Sequence, residues 1–205
     1  MRKRNILIHS ILVVAFYFMV PQSTADSMAA RAAAVQTAEP VVVQEEEQTE
    51  GLYRKDLAAY ITSVNKAVTE EEAAEMVDCI MQQAEKHQLD ERLIMAVAQT
   101  ESTYYSDAVS SADYKGLMQT SDVLAEEAGY TPEDLFDPEV SIQIGSDYMD
   151  SQMESFDNDV VLALTAYNQG PGAVYEGEYS TAYAAETIEY MEDIEIFLQK
   201  QGGSR

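Results

Sequence analysis

Cysteine is almost absent from this 205-residue chain: Cys79 is the only one. No intramolecular disulfide can form, so the fold must rest on its hydrophobic core. Cations are scarce as well, with 12 Lys and Arg against 37 Asp and Glu and a formal charge of −25. Arg2, Lys3 and Arg4 are among those few, and every acidic residue lies after position 25. Such a charge excludes binding to nucleic-acid phosphates and gives no attraction to an anionic membrane or wall polymer. Sustained apolar–polar alternation is missing, as are internal repeats, which argues against a strand-built or solenoid fold. Asp157-Asn158-Asp159 lacks the Gly and distal Glu of a calcium loop and reads as a helix cap.

What is present begins at the N-terminus. Met1-Arg2-Lys3-Arg4-Asn5 is basic, Ile6 to Val20 is apolar, and Ser23-Thr24-Ala25 has the small residues of a cleavage site. This pattern predicts an export signal over residues 1–25. The apolar run is short for a bilayer span, which needs about 20 residues. The alternative is an uncleaved anchor, with membrane attachment through residues 6–20. The protein is then extracellular, in the cell wall, or held at the outer face of the cytoplasmic membrane. No cysteine lies near the cleavage site, which excludes lipid attachment there. Residues 26–50 are biased towards Ala, Val, Gln and Glu without a sustained apolar period, and read as a flexible linker. No motif in them points to a protein partner.

Residues 51–205 read as one all-α domain. Tyr53 to Val68 suits a helix. Thr69 and Glu72 have capping-box spacing and open a helix through about His87. Cys79 shares its spacing with Met76, Ile80 and Ala84, which marks a core thiol. His87 is about 12 Å further along the helix, too far for a Cys–His pair. Asp90 caps an apolar helix ending near Glu101, which is expected to fray over Thr103-Tyr104-Tyr105. Ser121 caps a short helix. Thr131-Pro132 and Asp137-Pro138 each have a helix-start order, the second opening a long helix to about Met153. Asp157 is read as the cap of Val160–Tyr167, stopped by Gly170-Pro171-Gly172. A last helix covers about Ala184–Gln199.

Glu101 carries the chemistry. A carboxylic acid at the end of an apolar helix tends to keep its proton, as a general acid for a glycosidic bond must. Alone it is a weak signal, since a Glu at a helix end is usually solvated. Its company is stronger: Glu101-Ser102, then Gly116-Leu117-Met118-Gln119, then Ala166-Tyr167-Asn168-Gln169-Gly170, then Glu186-Thr187 with Tyr190. These ordered blocks resemble the catalytic domain of the soluble lytic transglycosylases, in the goose-type lysozyme superfamily. The resemblance is strongest over residues 90–191.

The resemblance implies a lysozyme-like helical domain with a substrate cleft. It implies peptidoglycan glycan strands as substrate, cleaved at the MurNAc–GlcNAc β-1,4 bond with formation of a 1,6-anhydro-MurNAc end. Glu101 is then the single acid and base, with no metal and no cofactor. Tyr167 and Tyr190 are expected to bring their hydroxyls to Glu101 from two separate helices. Ser102, Met118, Gln119 and Asn168 are expected at the substrate. Two positions depart from the family pattern: Asp113-Tyr114 stands where Gly-Ala is usual, and Thr120-Ser121-Asp122 where an apolar pair and Pro are usual. The alternatives are a hydrolytic muramidase on the same fold, with Asp107 or Asp113 as its second carboxylate, and a non-catalytic peptidoglycan-binding or scaffold domain.

Overall fold

The computed structural model describes residues 48–202. The export signal expected over residues 1–25, and the linker expected over 26–50 as far as residue 47, lie outside the described residues. Helix α1 is formed over residues 48–64, so it is already under way three residues before position 51. Then follow α2 (Glu70–His87), α3 (Glu91–Ser102), α4 (Asp122–Glu127), a 3-10 turn (Pro132–Phe136), α5 (Pro138–Ser155), α6 (Val160–Gln169), α7 (Pro171–Glu176) and α8 (Ala182–Gln201). The domain is all-α: among the described residues the only β pairing is two isolated bridges, Val109 with Lys115 and Lys115 with Thr120.

Local chemistry sets most helix starts. The Thr69 hydroxyl accepts from the Glu72 amide while the Glu72 carboxylate accepts from the Thr69 amide, closing the capping box. Asp90, Ser121 and Asp137 accept from the amides of Arg92, Leu124 and Glu139. Each such cap satisfies an amide that the helix itself leaves unpaired, worth about 1 kcal/mol.

Helix α3 runs through the middle. Leu93 to Ala98 are all buried, at 2% exposure or less. A helix apolar on every side must be covered on every side. Accordingly α3 packs against α2, α5 and α8. Burying one side chain the size of Ile94 contributes about 1.5–3 kcal/mol. Cys79 is buried in the same core, and burial pushes its thiol up to about 11. Such a thiol is inert as a nucleophile at neutral pH. His87 turns the other way, onto α5, with Nδ1 2.7 Å from Asp150 Oδ2.

Two expectations need correction. Helix α3 does not fray. It stops at two successive left-handed residues, Thr103 (φ 52°) and Tyr104 (φ 61°), and Tyr104 is buried with its hydroxyl donating to Met95 O at 3.1 Å. Helix α6 is capped by Asp159, which accepts from the Leu162 amide, and not by Asp157. Asp157 and Asn158 instead form the turn before it, both left-handed at φ 54° and 63°. Gly170 ends α6 as expected, and Pro171 then stands at the start of α7, where its fixed φ suits a first turn and its missing amide is not needed.

Candidate active site

Glu101 lies in the last turn of α3 and opens into a cleft of about 590 Å³. The opposite walls come from the loop after α3, from α5 and from the end of α6, through Ser110, Tyr114, Gln119, Tyr148, Tyr167 and Asn168. Among the described residues that line the cleft, Glu101 is the only carboxylate. Burial raises its pKa from 4.5 to about 6, against a smaller opposing pull from a hydrogen bond with Tyr183. The carboxyl group therefore stays largely protonated in mildly acidic medium.

The Tyr183 hydroxyl donates to Glu101 Oε1 at 2.6 Å. Its own pKa is raised well above the ordinary value by burial and by the neighbouring Glu101, so it remains a donor. This is the contact expected of Tyr190. The Tyr190 hydroxyl instead donates to Glu186 Oε1 at 3.3 Å, on the exposed side of α8. The two tyrosines are two turns apart on one helix face, about 10 Å along the axis. Helix α8 crosses α3 so that the earlier one meets the carboxyl group. Removing the Tyr183 hydroxyl takes away the interaction that favours the charged form. Tyr183→Phe should therefore raise the Glu101 pKa, read as a higher titration midpoint of the labelled carboxyl carbon by NMR. Tyr190→Phe should leave that midpoint where it is.

Tyr167 lies beside Glu101 in the cleft wall, but its hydroxyl donates to Met118 O at 2.9 Å. Its ring tilts against Tyr148 with centroids 5.2 Å apart. It thus ties the end of α6 to the Gly116–Gln119 turn and supports the cleft wall. Met118 contributes only its backbone: its side chain is fully buried and packs where Gly145 of α5 leaves room. Ser102 also faces inward, donating to Leu117 O at 2.7 Å. Neither Ser102 nor Met118 lines the cleft. Gln119 does, yet both donors of its amide are turned to the loop, towards Ala108 O at 3.0 Å and Gly116 O at 2.9 Å. Its carbonyl oxygen is the group left for a ligand. Asn168 is exposed and lines the cleft.

Asp107 and Asp113 are not part of the cleft lining, and Asp113 pairs with Lys115 at 3.3 Å. Tyr148 and Tyr114 were not expected there. Tyr148 shares the inward stripe of α5 with Ser141, Ile144 and Gly145, which reads as core in sequence. Tyr114 belongs to the block that departs from the family pattern. Its backbone is held in a turn by mutual bonds with Ser110. Among the described residues no group of three or more His, Cys, Asp or Glu side chains is arranged to hold a metal ion.

Comparison with known proteins gives the family and the fold. The family model described as "Transglycosylase SLT domain" matches residues 78–190. A membrane-bound lytic murein transglycosylase C from Edwardsiella ictaluri is 33% identical over 118 residues, covering 50% of this chain and 33% of that protein. A soluble lytic murein transglycosylase from Escherichia coli is 32% identical over 108 residues, covering 49% of this chain and 17% of that protein. The chain thus spans a third or less of the length of these relatives. Among solved structures, the 70-kDa soluble lytic transglycosylase in complex with bulgecin A has a similar fold. Its TM-score is 0.51 at 21% identity, covering 73% of this chain and 30% of that one.

Proposed function

The chain belongs to the transglycosylase SLT domain family, and from that premise we propose that it is a peptidoglycan lytic transglycosylase acting at the cell wall. One observation carries the reading: a single carboxylate, Glu101, lines the cleft, with its pKa raised to about 6. Hydrolysis of a glycosidic bond ordinarily uses two carboxylates, one as acid and one as base or nucleophile. Among the described residues that line the cleft, there is no second carboxylate.

The transglycosylase reaction needs only one. Protonated Glu101 gives its proton to the glycosidic oxygen between MurNAc and GlcNAc, and the C1–O bond breaks. The 2-acetamido group of the muramoyl sugar assists at C1. The Glu101 carboxylate then takes the proton from that sugar's C6 hydroxyl as its oxygen closes onto C1. The nucleophile is part of the substrate, so no water-placing Asp is required. Tyr183 holds the carboxyl group in place for both transfers. Asn168 and the Gln119 carbonyl are the polar contacts open to the sugar.

Product mass tests the reading. Muropeptides released from purified peptidoglycan should carry 1,6-anhydro ends, lighter by one water than hydrolytic products. Products at the hydrolytic mass would overturn it in favour of a muramidase, and wall binding without release would indicate a scaffold. Two further outcomes follow from the geometry. The rate should fall as pH rises through about 6, because Glu101 must enter the reaction protonated. Tyr114 offers an aromatic face to a sugar at the cleft rim, and Tyr114→Ala should raise KM with kcat nearly unchanged, measured on soluble glycan strands.

A further inference from the structure

Glu101 sits in a turn that is gripped from outside on every side except its own. The Gln99 amide oxygen accepts from the Tyr60 hydroxyl of α1 at 2.9 Å. Thr100 Oγ1 lies 3.1 Å from Thr187 Oγ1 of α8. Ser102 Oγ donates to Leu117 O, and Thr103 O accepts from Asn65 Nδ2 at 2.9 Å. Only the Glu101 side chain, between these anchors, is turned to the cleft.

Two of the four anchors, Tyr60 and Asn65, come from α1 and the residue that closes it. Neither lies in residues 78–190, the segment that the family model matches. Both are buried, Asn65 at 3% exposure and Tyr60 at 5%. Asn65 is fixed at both ends of its amide: Oδ1 accepts from the Ala67 amide at 2.9 Å while Nδ2 reaches Thr103. Its acceptor is the first of the two left-handed residues that stop α3. Non-glycine residues seldom adopt that conformation twice in succession, and such backbone persists only where its surroundings over-determine it.

We propose that α1 is a working part of the catalytic unit, and that Asn65 is a positioning residue that holds the Glu101 turn through Thr103. The inference rests on Glu101 being the general acid. The bond does not touch substrate. It fixes where the last turn of α3 ends, and therefore where the carboxyl group stands relative to Tyr183 and the glycosidic oxygen. A displacement of about 1 Å at a reacting group can reduce a rate by about 10²-fold.

The test uses the 205-residue chain with soluble glycan strands of alternating GlcNAc and MurNAc. Asn65→Asp is the sharp variant: it is isosteric and keeps the acceptor for Ala67, but cannot donate to Thr103. Asn65→Ala removes both bonds. Each should lower kcat about tenfold with KM within about twofold, at a temperature where circular dichroism shows the variant folded. In Asn65→Ala, which adds no charge, the decline of rate with rising pH should also move to lower pH, because a loosened turn admits water to Glu101 and favours its charged form. A merely structural bond would lower the melting temperature and leave kcat and the pH profile as in wild type, which would overturn the proposal. Should both Asn65 variants fail to fold, Tyr60→Phe decides on the same two readouts, since it loosens the same turn through Gln99. Wild-type chain that releases neither anhydro nor hydrolytic product sinks the general-acid reading itself. Product from wild type together with full kcat in the variants sinks only the role of α1.

Discussion

Glu101→Gln is expected to abolish release of anhydro-muropeptides while leaving the domain folded. The amide is nearly isosteric with the acid and its oxygen can still accept from the Tyr183 hydroxyl. It cannot give up a proton to the leaving oxygen and then take one from the C6 hydroxyl. Loss of general acid catalysis alone removes about 10²–10⁴-fold, and here one group serves both transfers, so the upper end applies. Stability should change in a direction set by the pKa. The folded-state value, about 6, lies above the ordinary 4.5, so the folded chain binds the proton more tightly than the unfolded chain. Stability is then fully present below about pH 4.5 and declines as pH rises through about 6. The glutamine variant has no charge to desolvate and should escape that decline, by about 2 kcal/mol at neutral pH. Urea unfolding at pH 4 and pH 7.5 reads both. Turnover near the wild-type rate would reject Glu101 as the acid. A variant less stable than wild type at pH 7.5 would show that the carboxylate makes contacts beyond the Tyr183 bond.

The parts of the fold legible in sequence are those decided within one turn of chain. Thr69, Asp90, Ser121 and Asp137 cap the helices they were expected to cap, because an oxygen two or three residues before an unpaired amide has a short and defined reach. The apolar run ending at Glu101 marked both the central helix and the acid that it buries. What sequence could not decide depends on how elements cross. Tyr183 and Tyr190 occupy the same stripe of α8, and only the crossing of α8 over α3 selects between them. Ser102 and Met118 sit in the right blocks, yet the tight pairing of Lys115 with Thr120 turns the intervening residues so that Met118 enters the core and Leu117 O meets Ser102. Asp157 and Asp159 are both plausible caps, and the two left-handed residues between Phe156 and Asp159 choose the later one. Tyr60 and Asn65 carried no signal at all, since their partners lie nearly forty residues away.

Gly116→Ala should be the most destabilising single-methyl change at the cleft. Gly116 opens the turn that runs to Gln119, with φ +75°, a conformation in which a side chain clashes with the carbonyl that follows. A Cβ there would stand 1.8 Å from Leu135 O and 2.9 Å from Ser141 Oγ. Leu135 is fully buried in the 3-10 turn against Ala125 and Ile144, so its carbonyl cannot swing aside as a flexible side chain would. Relief must come from moving the Gly116–Gln119 turn. That turn supplies Leu117 O to Ser102, Met118 O to Tyr167 and the Gly116 carbonyl to the Gln119 amide. The left-handed backbone contributes about 1–2 kcal/mol of the penalty and the overpacking about 1–3 kcal/mol more, or about 3 kcal/mol in all. Gly129→Ala separates the two parts. Its φ is +87°, but nothing lies within 4 Å of the added carbon, so it carries the backbone penalty alone. In paired urea denaturation Gly116→Ala should fall below Gly129→Ala by the packing share. Under conditions where both remain folded, only Gly116→Ala should lose activity, because only its turn forms a wall of the cleft. Equal stabilities for the two variants would mean that Leu135 and the 3-10 turn yield freely. The cleft wall would then be soft, and the positions of Tyr167 and Gln119 would have to be fixed by α5 and α6 instead.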